Sequence, residues 1–428
     1  MDKTNILIFP AGTEIAFEIV NALKYSKFVT LYGGTSTKDH SEFVYKNLIT
    51  GIPFVGDDEF ILSINKVIDE YEIDYIYPAH DSVCLYLAEH RDEISARVVC
   101  SELETVKICR SKLETYKFFE GENFIPKTYV DIDSVEEYPV FVKPSVGQGS
   151  VGAEKIDTRE QLERTICEND DLVICEYLPG TEYSVDCFTD RYGKLRVVKL
   201  RDRERIRAGI SVRSMELMVD EQIMDIAIAI NNALKFRGAW FFQVKKNIKG
   251  EYRLMEVSPR IPGTMGLSRN MGINFPLLTL FDMWGYDVNI IDNNYDILLD
   301  RAFYSAYKID YEYDHVYIDF DDTLTLDNKV NPDVIRFLYQ CINKGKKLHL
   351  ISRHEGDLYV DMEHLHIPTS LFNDIMVIDK NGFKSDYITE EKAIFIDDSF
   401  SERQNVKEVN NIPVFDVDMI ESLIDYRF

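Results

Sequence analysis

Short apolar runs alternate with amphipathic stretches over the first hundred residues. Ile-Leu-Ile-Phe at 6–9 is followed by a helical pattern at 13–25, and another apolar run begins at Val29. The segment 71–80 repeats this arrangement before a second helical stretch. Strands separated by helices predict a parallel sheet with right-handed crossovers. Gly12 follows the first run without opening a GxGxxG motif, which favours a structural turn over a dinucleotide site.

The pattern changes twice further along the chain. Longer segments at 195–207 and 238–248 alternate apolar and polar residues, which is typical of antiparallel strands with one buried face. Near residue 309 a strand–loop–helix pattern begins again. We therefore predict a multidomain α/β protein with three domains, at residues 1–105, 106–308 and 309–428.

Composition narrows the classes of function. The 428 residues carry a net charge of −26, so a nucleic-acid backbone or an anionic lipid surface would be repelled. No apolar run approaches the roughly 18 residues of a membrane-spanning helix, and the first apolar run is too short for a signal peptide. We expect a cytoplasmic protein that binds neither nucleic acid nor membrane.

Seven cysteines are scattered along the chain and include no CxxC pair. Their odd number and irregular spacing are typical of reduced thiols in a cytosolic protein. We expect all seven to be buried and free of metal or disulfide bonds: Cys84, Cys100, Cys109, Cys167, Cys175, Cys187 and Cys341.

A glycine-rich loop follows a predicted strand that carries Lys143. The sequence Phe-Val-Lys-Pro-Ser-Val-Gly-Gln-Gly-Ser-Val-Gly spans 141–152. Glycines let backbone N–H groups approach phosphate oxygens, and a lysine adds positive charge. The loop is not a Walker A motif, because no Gly-Lys-Ser/Thr closes it. By itself it is equally compatible with a mobile surface loop.

Further motifs accompany this loop in a fixed order. They are Ser-Lys-Leu-Glu-Thr-Tyr-Lys at 111–117, Cys-Glu-Tyr-Leu-Pro-Gly-Thr-Glu at 175–182, Gly-Ala-Trp-Phe-Phe-Gln-Val at 238–244 and Leu-Met-Glu-Val-Ser-Pro-Arg at 254–260. Their order and spacing resemble the ATP-grasp superfamily, especially stand-alone relatives of the carbamoyl-phosphate synthase large subunit. The resemblance covers residues 1–308. It implies a Rossmann-like pre-ATP-grasp domain, an α+β ATP-grasp domain and ATP-dependent carboxylate–amine ligation through an acyl phosphate.

The resemblance assigns ATP-binding roles by motif position. Lys112 and Lys143 would hold the phosphates, and Glu182 would accept hydrogen bonds from the ribose hydroxyls. The remaining ATP-binding positions are Ser150 in the glycine-rich loop and, in the hinge that meets adenine, Glu176 and Leu178.

Three positions fall where the family places its magnesium ligands: Gln243, Glu256 and Ser258. The third is normally Asn, and Gln243 is neutral, so Glu256 is the only anionic ligand. Mg²⁺, or alternatively Mn²⁺, would then rely on ATP phosphates and water. The resemblance also implies that Arg260 stabilises charge on the transferred phosphoryl group. A degraded site that binds nucleotide without catalysis is the alternative.

Basic residues concentrate at 199–213 of this acidic chain. Four arginines recur there at every second position: Arg201, Arg203, Arg205 and Arg207. On a single strand they would share one face, where like charges repel unless an anion lies opposite. We predict a cradle for the triphosphate and an anionic substrate, with Arg201 and Arg203 as ATP-binding residues. A solvated basic strand edge is the alternative.

A second set of motifs lies near the C-terminus. Asp319 and Asp321 directly follow an apolar strand, Ser352 ends another, Lys384 lies in Asn-Gly-Phe-Lys-Ser, and Asp397 follows a third strand. This order resembles the haloacid dehalogenase superfamily, with its DxDxT signature, over residues 309–428. The spacing between the motifs leaves no room for a cap domain. The resemblance therefore implies a capless HAD-like phosphatase.

The resemblance also implies a role for each residue. Asp319 would be the nucleophile that forms an aspartyl-phosphate, and Asp321 the general acid and then base. Ser352 and Lys384 would hold the phosphoryl oxygens, with Lys380 as the alternative lysine. A carboxylate can attack an anionic phosphate only when cations offset the repulsion. The Mg²⁺ ligands would be Asp319, Asp321 and Asp397, with Asp398 in support.

Together these resemblances imply a bifunctional enzyme, a ligase fused to a phosphatase. Its substrates would be a small-molecule carboxylate and an amine. The surplus of arginines at 201–213 and the absence of a cap further suggest that the amine, or amino acid, carries a phosphate ester that these arginines bind and the phosphatase later removes. Two alternatives stay open: one domain alone is catalytic while the other is a regulatory binding module, or the chain is a non-catalytic scaffold. A homodimer is compatible with either reading.

Overall fold

The computed structural model describes residues 3–147, 149, 151–169, 171–293 and 295–427. The chain divides into two compact units, unit 1 ending at Phe303 and unit 2 spanning Tyr304–Arg427. The mixed α/β class predicted from the sequence is confirmed. The domain boundaries after residues 105 and 308 stay predictions. Within the described ranges, no helix is long and apolar enough to cross a membrane.

Unit 1 begins with a parallel sheet whose helices cover both faces. Its elements are β1 (Thr4–Phe9), α1 (Glu14–Leu23), β2 (Val29–Thr35), β3 (Leu48–Thr50), α2 (Phe60–Tyr71), β4 (Tyr75–Pro78), α3 (Asp81–Glu89) and β5 (Arg97–Val98). The strand order is β3–β2–β1–β4–β5. Ile6 and Ile8 of β1 pack with α1, whereas Leu7 and Phe9 pack with α2 and α3. Because β1 and β4 are parallel neighbours, the loops that follow them lie at one edge of the sheet.

Two helices, α4 (Leu103–Arg110) and α5 (Lys112–Phe118), lead to a small antiparallel sheet. The Ser111 hydroxyl caps α5 by accepting a hydrogen bond from the Glu114 amide, which fixes where Lys112 begins the helix. The sheet and its helix are β6 (Thr128–Tyr129), β7 (Val140–Pro144), β8 (Glu154–Ile156), α6 (Arg159–Glu168) and β9 (Leu172–Glu176), in strand order β6–β9–β7–β8.

A larger antiparallel sheet completes unit 1. Its elements are β10 (Glu182–Thr189), β11 (Leu195–Asp202), β12 (Arg205–Arg207), β13 (Ile210–Leu217), α7 (Glu221–Ala233), β14 (Gly238–Lys246), β15 (Tyr252–Ser258), α8 (Gly266–Asn270), α9 (Phe275–Met283) and β16 (Leu298–Asp300). The strand order is β12–β13–β11–β10–β14–β15, and β16 pairs with β13. One face packs on α7 through Ile226, Ile230, Trp240 and Phe242. Five of the predicted ligase residues lie on strands of this sheet: Glu182, Arg201, Gln243, Glu256 and Ser258.

Unit 2 is built on a five-stranded parallel sheet. Its elements are β17 (His315–Ile318), β18 (Thr325–Leu326), β19 (Lys329–Val330), α10 (Pro332–Asn343), β20 (Lys347–Ser352), α11 (Leu358–His364), β21 (Asp374–Val377), β22 (Ala393–Ile396), α12 (Phe400–Asn410) and β23 (Val414–Phe415). The strand order is β21–β20–β17–β22–β23, and β18 with β19 forms a separate hairpin. Val316 and Ile318 pack with α10 and α11, whereas Tyr317 packs with α12. The carboxyl ends of β17, β20 and β22 therefore share one edge.

The expectation that all seven cysteines are buried is wrong at one position. Cys167 is exposed, whereas the other six are buried and all seven are free thiols. Cys167 lies on α6, where Leu162 is the only described residue that is fully buried. The helix covers a small sheet with one narrow face, so most of its side chains face solvent.

Candidate active sites

Unit 1 contains a cavity of about 390 Å³ where its three sheets approach one another. The starts of α1 and α3 contribute Glu14 and Asp81, the start of α5 contributes Lys112, and the glycine-rich loop contributes Gly147 and Gly149. Further parts of the wall are formed by β11, β13, β14 and β15, by the turns before and after β12, and by the segment that follows β15. A volume of about 300–1,000 Å³ is typical of small-molecule sites.

The three predicted metal-binding residues lie together on one wall of this cavity. Gln243 of β14 pairs directly with Glu256 of β15, and Ser258 lies two residues beyond Glu256, on the same face. The structure therefore brings these three side chains together. Their oxygen atoms are donors of the kind that Mg²⁺ prefers.

Asp81, at the start of α3, joins this wall and was missed by sequence analysis. Its Oδ1 atom accepts hydrogen bonds from Ser258 Oγ at 2.9 Å and from Arg260 Nε at 2.8 Å. Burial raises the pKa of Asp81, but the charge and hydrogen bonds of Arg260 and Ser258 outweigh it and lower the pKa to about 2. Arg260, predicted to face a phosphoryl group, is thus held by a protein carboxylate.

The two predicted phosphate-binding lysines differ in position. Lys112 lines the cavity and its Nζ atom donates to the Gly147 carbonyl at 3.3 Å. Burial lowers the pKa of Lys112. Lys143 is buried, with its Nζ atom 2.6 Å from the Tyr116 hydroxyl, and it does not line the cavity. The predicted residue Ser150 lies outside the described residues.

The predicted adenine and ribose contacts also lie away from the cavity wall. Glu176 accepts a hydrogen bond from the Lys127 amide at 3.0 Å, and Leu178 is buried. Glu182 forms an ion pair with Arg203, with 2.9 Å between Oε1 and Nε. Glu182 is thus paired with an arginine of the turn between β11 and β12.

The prediction that four arginines share one strand face is wrong. β11 ends at Asp202 and β12 begins at Arg205, so the chain turns in the middle of the alternating pattern. Arg201 is buried and its Nε atom lies 2.9 Å from Asp186 Oδ2. Arg201 and Arg203 line the cavity, so the pair predicted to bind ATP stays near it.

Two of the outer arginines, Arg205 and Arg213, have a protein partner. Arg205 and Arg213 form ion pairs with the two oxygen atoms of Asp300, at 2.8 and 2.9 Å. Arg207 is exposed and does not line the cavity. At Arg205 and Arg213, the anion that the sequence pattern required is therefore the Asp300 carboxylate of the chain itself.

Unit 2 gathers charged side chains at the carboxyl edge of its parallel sheet. Asp319 follows β17, Asp397 follows β22, and Lys384 begins a short helical turn. Lys384 Nζ lies 2.8 Å from Asp319 Oδ1 and 2.6 Å from Asp397 Oδ2, and all three residues are buried. Burial, together with the nearby Asp319 carboxylate, raises the pKa of Asp397 to about 6 although Lys384 opposes the shift.

Three carboxylates at this edge form a group suited to a cation. Oxygen atoms of Asp319, Asp397 and Asp398 all lie within 4.8 Å of one another. Three hard oxygen donors fit Mg²⁺. The sequence predicted Asp321 as the third ligand, but the third member of this group is Asp398. The Asp321 carboxylate lies 3.4 Å from Ser352 Oγ.

The structure separates the two candidate lysines. Lys380 is 79% exposed and forms an ion pair with Glu355 on the surface. Lys384 alone of the two contacts Asp319. Lys384 therefore has the position expected of the phosphate-binding lysine.

His354 is a second residue that sequence analysis missed. Its Nδ1 atom lies 3.0 Å from both carboxylate oxygens of Asp321, and its Nε2 atom lies 2.8 Å from Asp361 Oδ2. Burial lowers the pKa of His354, but the two carboxylates raise it above the usual value. His354 lies two residues beyond Ser352, and that proximity was the only signal available.

A family model described as "ATP-grasp in the biosynthetic pathway with Ter operon" matches residues 168–297. This segment contains β10 to β15 and so includes Gln243, Glu256 and Ser258. Over this segment, less than a third of the chain, the match agrees with the ATP-grasp resemblance of the sequence motifs. ATP and Mg²⁺ are the cofactors of that class. The model covers no part of unit 2.

Solved structures with a similar fold include three nucleotide-dependent or ligase proteins. Biotin carboxylase from Campylobacter jejuni, in complex with β,γ-ATP, has a TM-score of 0.57 at 17% identity and covers 69% of this chain and 75% of its own. The MgADP-bound biotin carboxylase domain of Hydrogenobacter thermophilus 2-oxoglutarate carboxylase has 0.56 at 14%, covering 69% and 73%. An L-amino acid ligase from Bacillus licheniformis has 0.54 at 17%, covering 65% and 73%. No curated protein sequence matches the chain significantly.

Proposed function

We propose that unit 1 is an ATP-dependent ligase that joins a small-molecule carboxylate to an amine. The observation that carries the proposal is the shared cavity wall of Gln243, Glu256 and Ser258, with Lys112 beside it. The similarity in fold to an L-amino acid ligase supports it. Gln243, Glu256 and Ser258 would hold Mg²⁺ together with ATP phosphates, and the ion would neutralise phosphate charge.

The reaction has two steps. A carboxylate oxygen of the substrate attacks the γ-phosphorus of ATP, and the bond from that phosphorus to the bridging oxygen breaks to release ADP. The amine nitrogen then attacks the acyl carbon, inorganic phosphate leaves, and the amine loses a proton to solvent. Lys112 and Arg201 line the cavity where they would offset the negative charge of these states.

The test is ADP release by the full chain with a panel of carboxylates and amines. We expect release that depends on both substrates and is lost in Glu256→Ala. The matched control is Glu221→Ala, which removes an exposed carboxylate from α7. ADP release that does not depend on the carboxylate and the amine, or that is retained in Glu256→Ala, would contradict the ligase proposal.

We further propose that unit 2 is a Mg²⁺-dependent phosphomonoesterase, because Lys384 lies between the carboxylates of Asp319 and Asp397. Asp319 attacks the phosphorus, the ester P–O bond breaks, and the leaving oxygen takes a proton from Asp321. Water then attacks the aspartyl-phosphate, its bond to Asp319 breaks, and Asp321 takes the proton. Asp319, Asp397 and Asp398 would hold Mg²⁺, which supplies positive charge.

Hydrolysis of p-nitrophenyl phosphate with Mg²⁺ tests this second proposal. Asp319→Asn should abolish turnover, because an amide forms no aspartyl-phosphate. Asp333→Asn, at an exposed carboxylate on α10 of the same unit, should retain it. Wild-type turnover in Asp319→Asn as well as in Asp333→Asn would rule out Asp319 as the nucleophile.

A coupling between the two activities is also part of the proposal. One chain holds both sites at high effective concentration, which favours a phosphate ester on a ligation substrate that unit 2 later removes. The arginines at 205 and 213 no longer support a phosphate handle, since Asp300 neutralises them. The Asp319→Asn variant should accumulate a phosphorylated amide, which mass spectrometry detects. A ligation product that never carries phosphate would contradict the coupling.

We also propose that the chain forms a homodimer, which light scattering tests.

A further inference from the structure

The proposed phosphatase mechanism uses Asp321 but not the side chain that contacts it most closely. His354 Nδ1 lies 3.0 Å from each oxygen of Asp321, whereas Ser352 Oγ is 3.4 Å from the nearer one. The two short distances place the imidazole between both carboxylate oxygens. Asp321 therefore has a defined partner in addition to the serine.

His354 is itself held in place from several directions. Its Nε2 atom lies 2.8 Å from Asp361 Oδ2 on α11, and the ring of Phe320 meets it edge-on at 5.4 Å. The His354 side chain is only 9% exposed. The imidazole is thus a fixed group against which Asp321 rests.

Asp321 has little else to restrain it. Its side chain is 49% exposed, and the next residue, Asp322, has a φ of +52°, which marks a sharp turn of the backbone. A carboxylate that is half open to solvent samples several rotamers, and ordering it costs conformational entropy. Proton transfer requires hydrogen-bond distance between acid and leaving group. A contact that selects one rotamer therefore bears directly on catalysis.

We propose that His354 is a positioning residue, which holds the Asp321 carboxyl where it protonates the leaving oxygen of a phosphate ester. The inference rests on the proposed phosphatase function of unit 2. His354 itself forms and breaks no bond with the substrate. The proton moves from Asp321 to the leaving oxygen as the ester P–O bond breaks.

The proposal predicts a dependence on the leaving group. An alkoxide is a poor leaving group and needs the proton, whereas p-nitrophenolate leaves without one. Loss of the contact should therefore reduce kcat/KM for glycerol phosphate much more than for p-nitrophenyl phosphate. The value of kcat/KM reports the steps up to release of the leaving group. General unfolding of the site would lower kcat/KM for the two esters equally.

Two isosteric variants separate the two contacts of the imidazole. In His354→Asn the amide nitrogen approximates Nδ1 and keeps the contact with Asp321, but it cannot reach Asp361. In His354→Gln the longer amide approximates Nε2 and keeps the contact with Asp361 instead. We expect His354→Gln to lower kcat/KM for glycerol phosphate by about 100-fold and that for p-nitrophenyl phosphate by only about threefold, with His354→Asn close to wild type for both.

The measurements have outcomes that would overturn the positioning role of His354. Equal losses for the two esters in His354→Gln, or equal behaviour of the Asn and Gln variants, would overturn the positioning role. If His354→Asn fails to fold, Asp361→Asn replaces it, because it keeps the contact between His354 and Asp321, and it should leave hydrolysis of both esters close to wild type. If His354→Gln fails to fold, His354→Ala replaces it and should weaken hydrolysis of glycerol phosphate selectively. A wild-type chain that hydrolyses neither ester would instead refute the phosphatase function, and the inference with it.

Discussion

The Ser258 hydroxyl donates a 2.9 Å hydrogen bond to the Asp81 carboxylate across 177 positions of sequence. Asp81 begins α3, which packs on the N-terminal parallel sheet, whereas Ser258 ends β15 of the larger antiparallel sheet. The hydrogen bond therefore joins two parts of unit 1 at the cavity. The same carboxylate holds Arg260. The wall that carries the three predicted metal ligands is therefore braced by a residue outside its own sheet.

The first prediction concerns this brace. Asp81→Ala should lower the free energy of unfolding by about 3 kcal/mol, because the Arg260 guanidinium is left in the cavity wall without its carboxylate. Urea denaturation measures the change. The double variant Asp81→Ala/Arg260→Met removes both charges and should recover part of the loss; strictly additive losses would show that the two residues do not depend on each other.

The second prediction concerns the metal. Glu256→Gln removes the only anionic side chain among the three predicted ligands, so the Mg²⁺ concentration for half-maximal ADP release should rise at least about tenfold. A magnesium titration at fixed ATP measures it. Glu221→Gln, which changes an exposed carboxylate, serves as the control and should leave the titration unchanged. An unchanged midpoint in Glu256→Gln would remove Glu256 from the metal site.

The third prediction separates inner from outer arginines. Arg201 lines the cavity and is buried against Asp186, so Arg201→Gln should raise the KM for ATP by on the order of tenfold or more. Arg205→Gln breaks a partly exposed ion pair outside the cavity and should change that KM less than about twofold. Similar increases in the KM for ATP in the two variants would contradict this distinction and would support the arginine cradle that the sequence pattern first indicated.

The fourth prediction concerns acid stability of unit 2. Burial lowers the pKa of His349, which contacts His315 and Asp374 and stacks on Tyr317. The unfolded chain therefore binds more protons near His349 than the folded one does, and stability falls as the pH drops below about 6.5. Thermal unfolding at pH 5 and pH 7 measures this difference. It should shrink in His349→Gln, and a difference of unchanged size would assign the acid sensitivity to other groups.

Local patterns predicted the parts of the fold that depend on neighbouring residues. The continuous apolar run of β1 corresponds to a strand with two helix-covered faces, with Ile6 on one and Leu7 on the other. The apolar run before Asp319 is β17. The predicted metal ligands came from motif positions in the ATP-grasp resemblance, and the structure places two of them, Gln243 and Glu256, opposite each other on two strands joined by a short hairpin. In each case the information lies within one element or one turn.

The features that sequence analysis missed depend on long-range contacts or on the exact end of a strand. The bond from Asp81 to Ser258 joins distant segments, so no local pattern pairs them. The arginine alternation continues beyond Asp202, although the strand ends there. His354 lies in a loop whose path is set by α11, and a loop sequence does not specify which carboxylate it meets.

One isotope measurement tests the central claim most directly, that unit 1 activates a carboxylate with ATP. The Asp319→Asn chain, whose phosphatase would be silent, is supplied with ATP, an amine and a carboxylate labelled with ¹⁸O, chosen from the panel by ADP release. Transfer through an acyl phosphate places one carboxylate oxygen in the released phosphate. We predict ADP and inorganic phosphate that carries a single ¹⁸O; unlabelled phosphate, or AMP with pyrophosphate, would contradict the account.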